Sequence, residues 1–200
     1  MMHEPQKQMS EAAQDVLQFW FGAEGDPSFG KPRQEWFRRD ASFDAAVRER
    51  FADLHAELAQ GGGESWLGGA RSTLAFIIVL DQFSRNLYRD DARAFAADPL
   101  ALRAAELGIS SGFDRELTLV ERPFLYMPFM HSETLADQDR CVALFEELAR
   151  EDPSAPNLSF ALRHREIVAR FGRFPHRNRI LGRTNTPEEQ AFLLEPNSSF

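Results

Sequence analysis

Leu74-Ala75-Phe76-Ile77-Ile78-Val79-Leu80 is apolar on every side, and it runs straight into Asp81-Gln82-Phe83-Ser84-Arg85-Asn86. A segment without a polar face belongs at the centre of the fold it enters. Periodicity alone does not choose between a buried strand and a buried helix. The neighbouring stretches do, because none shows strand alternation or a hairpin turn, and an isolated strand leaves its backbone hydrogen bonds unmade. The stretch from about Ala70 to Asn86 is therefore expected to be a central helix. The apolar run is seven residues long, against the ~20 needed to span a bilayer.

The flanking sequence continues the helical pattern. Ser10 is placed to cap a helix through Phe21, with Gly22 behind it. Trp36 and Phe37 fall in a short helical piece after the Gly/Pro-rich loop of residues 22–32. Val47, Phe51, Leu54 and Leu58 form one stripe, stopped by Gly61, Gly62 and Gly63. Asp98-Pro99 reads as an N-cap followed by a first-turn proline, opening a helix towards Ile109 that stops near Gly112. Leu119–Met130 carries Pro123 and Pro128 and is expected to be a short, bent helical piece. Leu135–Arg150 places Cys141, Leu144, Phe145 and Leu148 on one face. Asn157 can cap a helix whose stripe is Phe160, Ile167, Val168 and Phe171, with His164 among them. Thr186-Pro187-Glu188-Glu189 is a capping box opening a final helix to about Glu195. The expectation is an all-α chain, one domain over residues 10–195, with tails at 1–9 and 196–200.

Composition narrows the function classes. The net charge of −8 gives no bulk attraction to nucleic acid or an anionic membrane, so neither is an expected partner. With a single cysteine no intrachain disulfide and no multi-cysteine metal site can form, which fits a reducing cytoplasm. Only Lys7 and Lys31 are lysines, so arginine dominates the basic residues. Neither a Gly-x-Gly-x-x-Gly nor a Walker-type Gly-Lys-Ser is present. No cofactor is expected and no metal, since the histidines lack ligand spacing.

Three polar clusters remain. Asp81 and Arg85 share a face of the central helix, so a buried structural ion pair and a cleft-facing Arg85-Asn86 are both open readings. Met130-His131-Ser132-Glu133 holds a histidine and a carboxylate two residues apart, with Ser132 and Glu133 equally suited to start a helix. From Ala161 to Arg183 seven arginines face the single acid Glu166, a local charge of +6. Arg163, Glu166 and Arg170 share one helical face and read as solvated scaffold. Phe174-Pro175-His176-Arg177-Asn178 lies in a turn, where His176, Arg177 and Asn178 can converge on a carboxylate or phosphate. His164 points inwards, either as a satisfied core histidine or, meeting His131 with Glu133 or Asp81, as an acid–base group.

Leu80–Arg89 with Arg93–Pro99, Tyr126–Glu133, and His164 through Gly172–Asn178 together resemble the bacterial family catalogued as domain of unknown function 924. The resemblance runs from about Val16 to Leu194; where family patterns often have Pro, this chain has Ser84. It implies antiparallel helix pairs in an array similar to tetratricopeptide repeats, and no established activity. Two functions are carried forward. One is a cytoplasmic protein holding a small anionic ligand or the acidic end of a peptide with Arg85, Asn86, His176, Arg177 and Asn178. The other is an enzyme with hydrolase-like acid–base chemistry at His131, Glu133 and His164, with Arg85 or Arg177 stabilising charge. The sequence does not speak to oligomeric state.

Overall fold

The computed structural model describes residues 9–27, 29–153 and 155–199. The expected N-terminal tail lies, up to residue 8, outside them. Among the described residues there are helices and turns and no strand. Helix α1 (Glu11–Phe21) starts where Ser10 Oγ accepts from the Ala13 amide and ends at Gly22. Asp40 opens α2 (Ala41–Ala59) by accepting from the amides of Ser42 and Phe43, and the glycines follow it. Gly63 has φ +82°, and a Cβ there would stand 2.5 Å from Leu58 Cδ2, so this turn requires glycine.

The apolar run is the centre of the molecule. It spans α3 (Ala70–Ile77), a π-helical segment (Ile78–Phe83) and α4 (Ser84–Leu87), with every residue from Thr73 to Ser84 buried. The π segment is a wider turn inside an otherwise α-helical rod. Side chains serve the carbonyls within it: Ser84 Oγ donates to Leu80 O at 2.6 Å and Arg85 to Asp81 O at 2.8 Å. On one side the rod packs against an aromatic cluster that includes Phe19, Trp20, Phe43, Phe51 and Phe83, mostly in edge-to-face or tilted contacts. On another it meets α5 (Asp98–Ser110). The buried face of α5 is Ala101, Ala104, Ala105 and Gly108, small enough for close approach, and a Cβ on Gly108 would reach 3.0 Å from Leu125 Cδ1.

Three local expectations change. Asp98 is the first residue of α5, not its cap, and its carboxylate turns to Arg85. The Pro-rich piece is a short helix, as expected: α6 (Arg122–His131), with Pro128 inside it. The buried amide of Gln138 supports its end by donating to the carbonyls of Phe129, Met130 and Ser132. Gln138 lies on α7 (Leu135–Glu151), which packs against α8 (Asn157–Phe171). The inward stripe of α8 is Ala161, His164, Ile167 and Val168, while Phe160 is 54% exposed, one position out of phase with that stripe. Finally, Ser198 of the expected C-terminal tail is buried and donates to Leu193 O.

The closing segment makes its own small apolar cluster of Ile167, Val168, Phe174 and Phe192, flanked by Phe171. Helix α9 (Pro187–Phe192) is fixed by the expected capping box between Thr186 and Glu189. Between α8 and α9, the segment of residues 172–186 reaches Glu133, just after α6, and Asp98, at the start of α5. Among the described residues no helix is long and apolar enough to cross a membrane.

Candidate functional site

The π segment carries Asp81 into the interior, where it is fully buried. From the end of α6, His131 Nδ1 meets Asp81 Oδ1 at 2.6 Å. Gln82 donates to the other carboxylate oxygen at 2.6 Å, and an Arg85 amino group lies 3.5 Å from Oδ1. Burial opposes the charge on Asp81, but His131, Arg85 and these hydrogen bonds more than offset it, and the carboxyl stays below its ordinary pKa. An ionised acceptor requires the proton on Nδ1 of His131, which leaves Nε2 on the far side of the ring. Asp81 and Arg85 are therefore neighbours, but the main partner of Arg85 is Asp98, which it holds through both oxygens at 2.7 and 3.0 Å. Arg85 also donates to Asp81 O and Ala94 O, so its donors are committed.

Arg177 faces this group from the turn after α8. It is 7% exposed, and its guanidinium is sandwiched between the rings of Phe95 and Phe174, each centroid 4.6 Å away. The Asp98 carboxylate, already forked by Arg85, is 3.7 Å from it. Its Nε is buried without a hydrogen-bond partner. Burial and the nearby Arg85 push its pKa down to about 10, although Asp98, Glu133 and Asp81 pull the other way. This is a buried cation with less than one carboxylate to itself.

The histidines close around it. His164 Nδ1 meets Phe160 O at 2.8 Å, and its ring packs edge-on against Phe174. Burial pushes His164 down to about 3, against the pull of the Phe160 carbonyl and with added repulsion from His131 and Arg177. His176 is pushed down to about 4 by burial and by Arg177. Both imidazoles are neutral at pH 7. His131, His164, His176 and Arg177 are thus close enough for their charges to act on one another.

Glu133 is not paired with a histidine. Arg183 forks onto it at 2.6 and 2.9 Å, and it accepts from the Phe174 amide at 2.8 Å. Burial raises its pKa, and Arg183 with that amide lowers it further than burial raises it. Its place is to clamp the 172–185 segment that carries His176 and Arg177. Asn178 is turned to Asn185 at 2.7 Å. Asn86 belongs with α2: it donates to Asp44 at 2.8 Å, beside Arg89, which pairs with the same carboxylate. Most of the remaining arginines of the basic stretch have acids of their own, Arg163 with Glu166, Arg165 with Asp139, Arg170 with Glu188 and Arg173 with Glu189, while the exposed Arg179 shares Asp90 with Arg39. The +6 stretch is thus largely paired with acids from elsewhere in the chain, and Arg177 is distinguished by its burial.

Sequence reasoning missed two participants. In the sequence Asp98 reads as a cap, and only the packing of α5 on the rod brings it between Arg85 and Arg177. His55 on α2 approaches Ser84 Oγ at 2.7 Å; because that hydroxyl donates to Leu80 O, His55 is the donor, and both groups are buried. Among the described residues no group of three or more His, Cys, Asp or Glu side chains is arranged to hold a metal ion.

Residues 16–197 match the family described as bacterial protein of unknown function, DUF924. A solved structure, that of the protein of unknown function ATU0120 from Agrobacterium tumefaciens, is similar, with 42% identity and a TM-score of 0.80 over 91% of this chain and 96% of that one. No match was found among curated proteins.

Proposed function

Because the chain belongs to the bacterial family DUF924, described only as of unknown function, its activity has to be argued from its own geometry, and we propose that it binds a small anion at Arg177. The observation that carries this reading is the buried guanidinium with an unpartnered Nε, sharing one carboxylate with Arg85. A buried donor is costly unless paired; an anion at the Nε edge would supply the missing acceptor. Phe95 and Phe174 hold the guanidinium plane, and His176 stands beside it with neutral ring nitrogens. We place the protein in the cytoplasm, and keep the tetratricopeptide-like array as part of the proposal, α6, α7 and α8 packing in succession.

The test is the melting temperature against acetate, sulfate and phosphate at constant ionic strength, for the native chain and Arg177→Gln. An anion at 100 times its Kd stabilises by about 2.7 kcal/mol, a rise on the order of 5–10 °C for a chain of this size. A saturable rise absent from the variant is expected. An equal rise in both proteins, or none in either, overturns the reading.

The Asp81–His131 pair supports a second reading, acid–base catalysis. A buried carboxylate holding Nδ1 leaves Nε2 of His131 as a general base, and Arg177, whose donors are less committed than those of Arg85, would meet developing negative charge. Hydrolysis of activated esters with a bell-shaped or sigmoid pH profile, lost in a folded His131→Asn variant, would support it; no turnover by the native chain would remove it.

A further inference from the structure

Arg177 Nε is buried, and the guanidinium that carries it is closed in between the rings of Phe95 and Phe174. An anion therefore reaches that edge only when one wall moves aside, a consequence that rests on the anion-binding reading above. The two walls are not held alike. Phe95 ends the helical turn Ala92–Phe95, whose Ala94 carbonyl accepts from Arg85 at 3.1 Å, and Ala97 just beyond it lies in the main core. Phe174 belongs to the segment of residues 172–185, and its ring sits with Ile167, Val168 and Phe192 in the small cluster that is separate from the main core. The segment is the wall that can move.

Glu133, just after α6, ties this segment to the body of the molecule. Arg183 forks onto its carboxylate at 2.6 and 2.9 Å, and the Phe174 amide donates to it at 2.8 Å. The ion contacts of Arg177 with Asp98 and of Arg179 with Asp90 are longer, at 3.7 and 3.5 Å. Within the segment, Arg183 donates to Phe174 O and Arg173 to Thr184 O, so its two ends are bound to each other and move together. Gly172 and Gly182, with φ of +67° and +65° and nothing within 4 Å of where a Cβ would stand, flank the part that carries His176 and Arg177 and have room to absorb a change of direction. A unit with its own small apolar cluster and a polar tie opens at lower free energy than the core it lies on. We propose that residues 172–185 form a strap over the anion site, that Glu133 is its latch, and that the anion enters and leaves when the latch releases.

The probes are acetate, sulfate and phosphate, and the ion giving the largest Arg177-dependent rise in melting temperature is carried forward. Amide hydrogen exchange of residues 172–185 in the full chain, read by mass spectrometry with α7 as reference, follows the strap without ligand. The strap is expected to exchange faster than α7 in the native chain. In Glu133→Gln, which loses the charge of the fork, its exchange should rise by a further factor of about ten or more while α7 is unchanged. The release rate of the bound ion, from NMR exchange between its free and bound signals, should rise by a similar factor in the same variant. Strap exchange no faster than that of α7 overturns the inference and leaves the anion site standing. So does a release rate unchanged in Glu133→Gln while the ion still acts through Arg177. If no ion acts through Arg177, the anion reading falls and takes the strap's role with it. Should Glu133→Gln fail to fold, Glu133→Asp, which keeps the charge and shortens its reach, is read in the same two ways, and the same two results overturn the inference.

Discussion

Replacing Arg177 by methionine should stabilise the unliganded protein. Burial and neighbouring charge move the guanidinium from 12.5 to about 10. At about 1.4 kcal/mol for each tenfold change in a proton equilibrium, this corresponds to a penalty of about 3 kcal/mol. Since the folded-state value is the lower one, the penalty is present in full wherever the group is charged in both states, below about pH 10. Met is unbranched and of similar reach, so it can fill the slot between Phe95 and Phe174. It forfeits the contacts of the cation with those rings, together about 1–2 kcal/mol. Asp98 is not orphaned, because Arg85 still holds both of its oxygens. The balance is a gain of about 1–2 kcal/mol, or a rise of roughly 2–8 °C in melting temperature. Urea denaturation at pH 7 and low salt, with thermal melting in parallel, measures it. A loss of 1 kcal/mol or more would refute the account, since it would make Arg177 a satisfied structural residue.

Other consequences can be checked with the same material. His164 and His176 have folded-state values of about 3 and 4, below the ~6.5 of the unfolded chain, so the folded form binds fewer protons in acid. Stability is complete above about pH 6.5 and should fall by up to about 1.4 kcal/mol per pH unit for each histidine below it; urea midpoints from pH 7 to 4.5 should show this, and His164→Gln should flatten the limb. Glu133→Gln removes the fork to Arg183 and should cost about 1–3 kcal/mol. Limited proteolysis should then cut first within residues 172–185, and unchanged digestion would contradict the clamp. Burial pushes the Cys141 thiol up to about 12, so a thiol reagent at pH 8 should label the chain only in denaturant.

Helix positions were largely legible because their signals are local. Ser10 and the Thr186–Glu189 box each satisfy amides within three residues, and the α2 stripe depends only on helical period. The π segment was not legible, since nothing in Ile78–Phe83 differs from an ordinary buried helix until the rest of the fold sets which carbonyls Ser84 and Arg85 reach. Phe160 misled because its spacing fits a stripe that the packing of α8 places one position later. Residue type and motif single out Arg85, His131, His164, His176 and Arg177, which the fold brings into one cluster, but not their partners. Asp98 reaches Arg85 from 13 residues away and Glu133 reaches Arg183 across 50. Asn86 shows the converse: it adjoins Arg85 in the chain, yet one helical step turns it onto Asp44.

The most direct test of the site is the side-chain Nε–Hε resonance of Arg177, followed by proton–nitrogen NMR during titration with acetate at constant ionic strength, and assigned by its loss in Arg177→Gln. The account predicts a saturable shift of that resonance as Nε gains an acceptor, with the exposed arginines unmoved. An Arg177 signal that stays in place while the exposed arginines drift with added salt would contradict an anion site at this guanidinium.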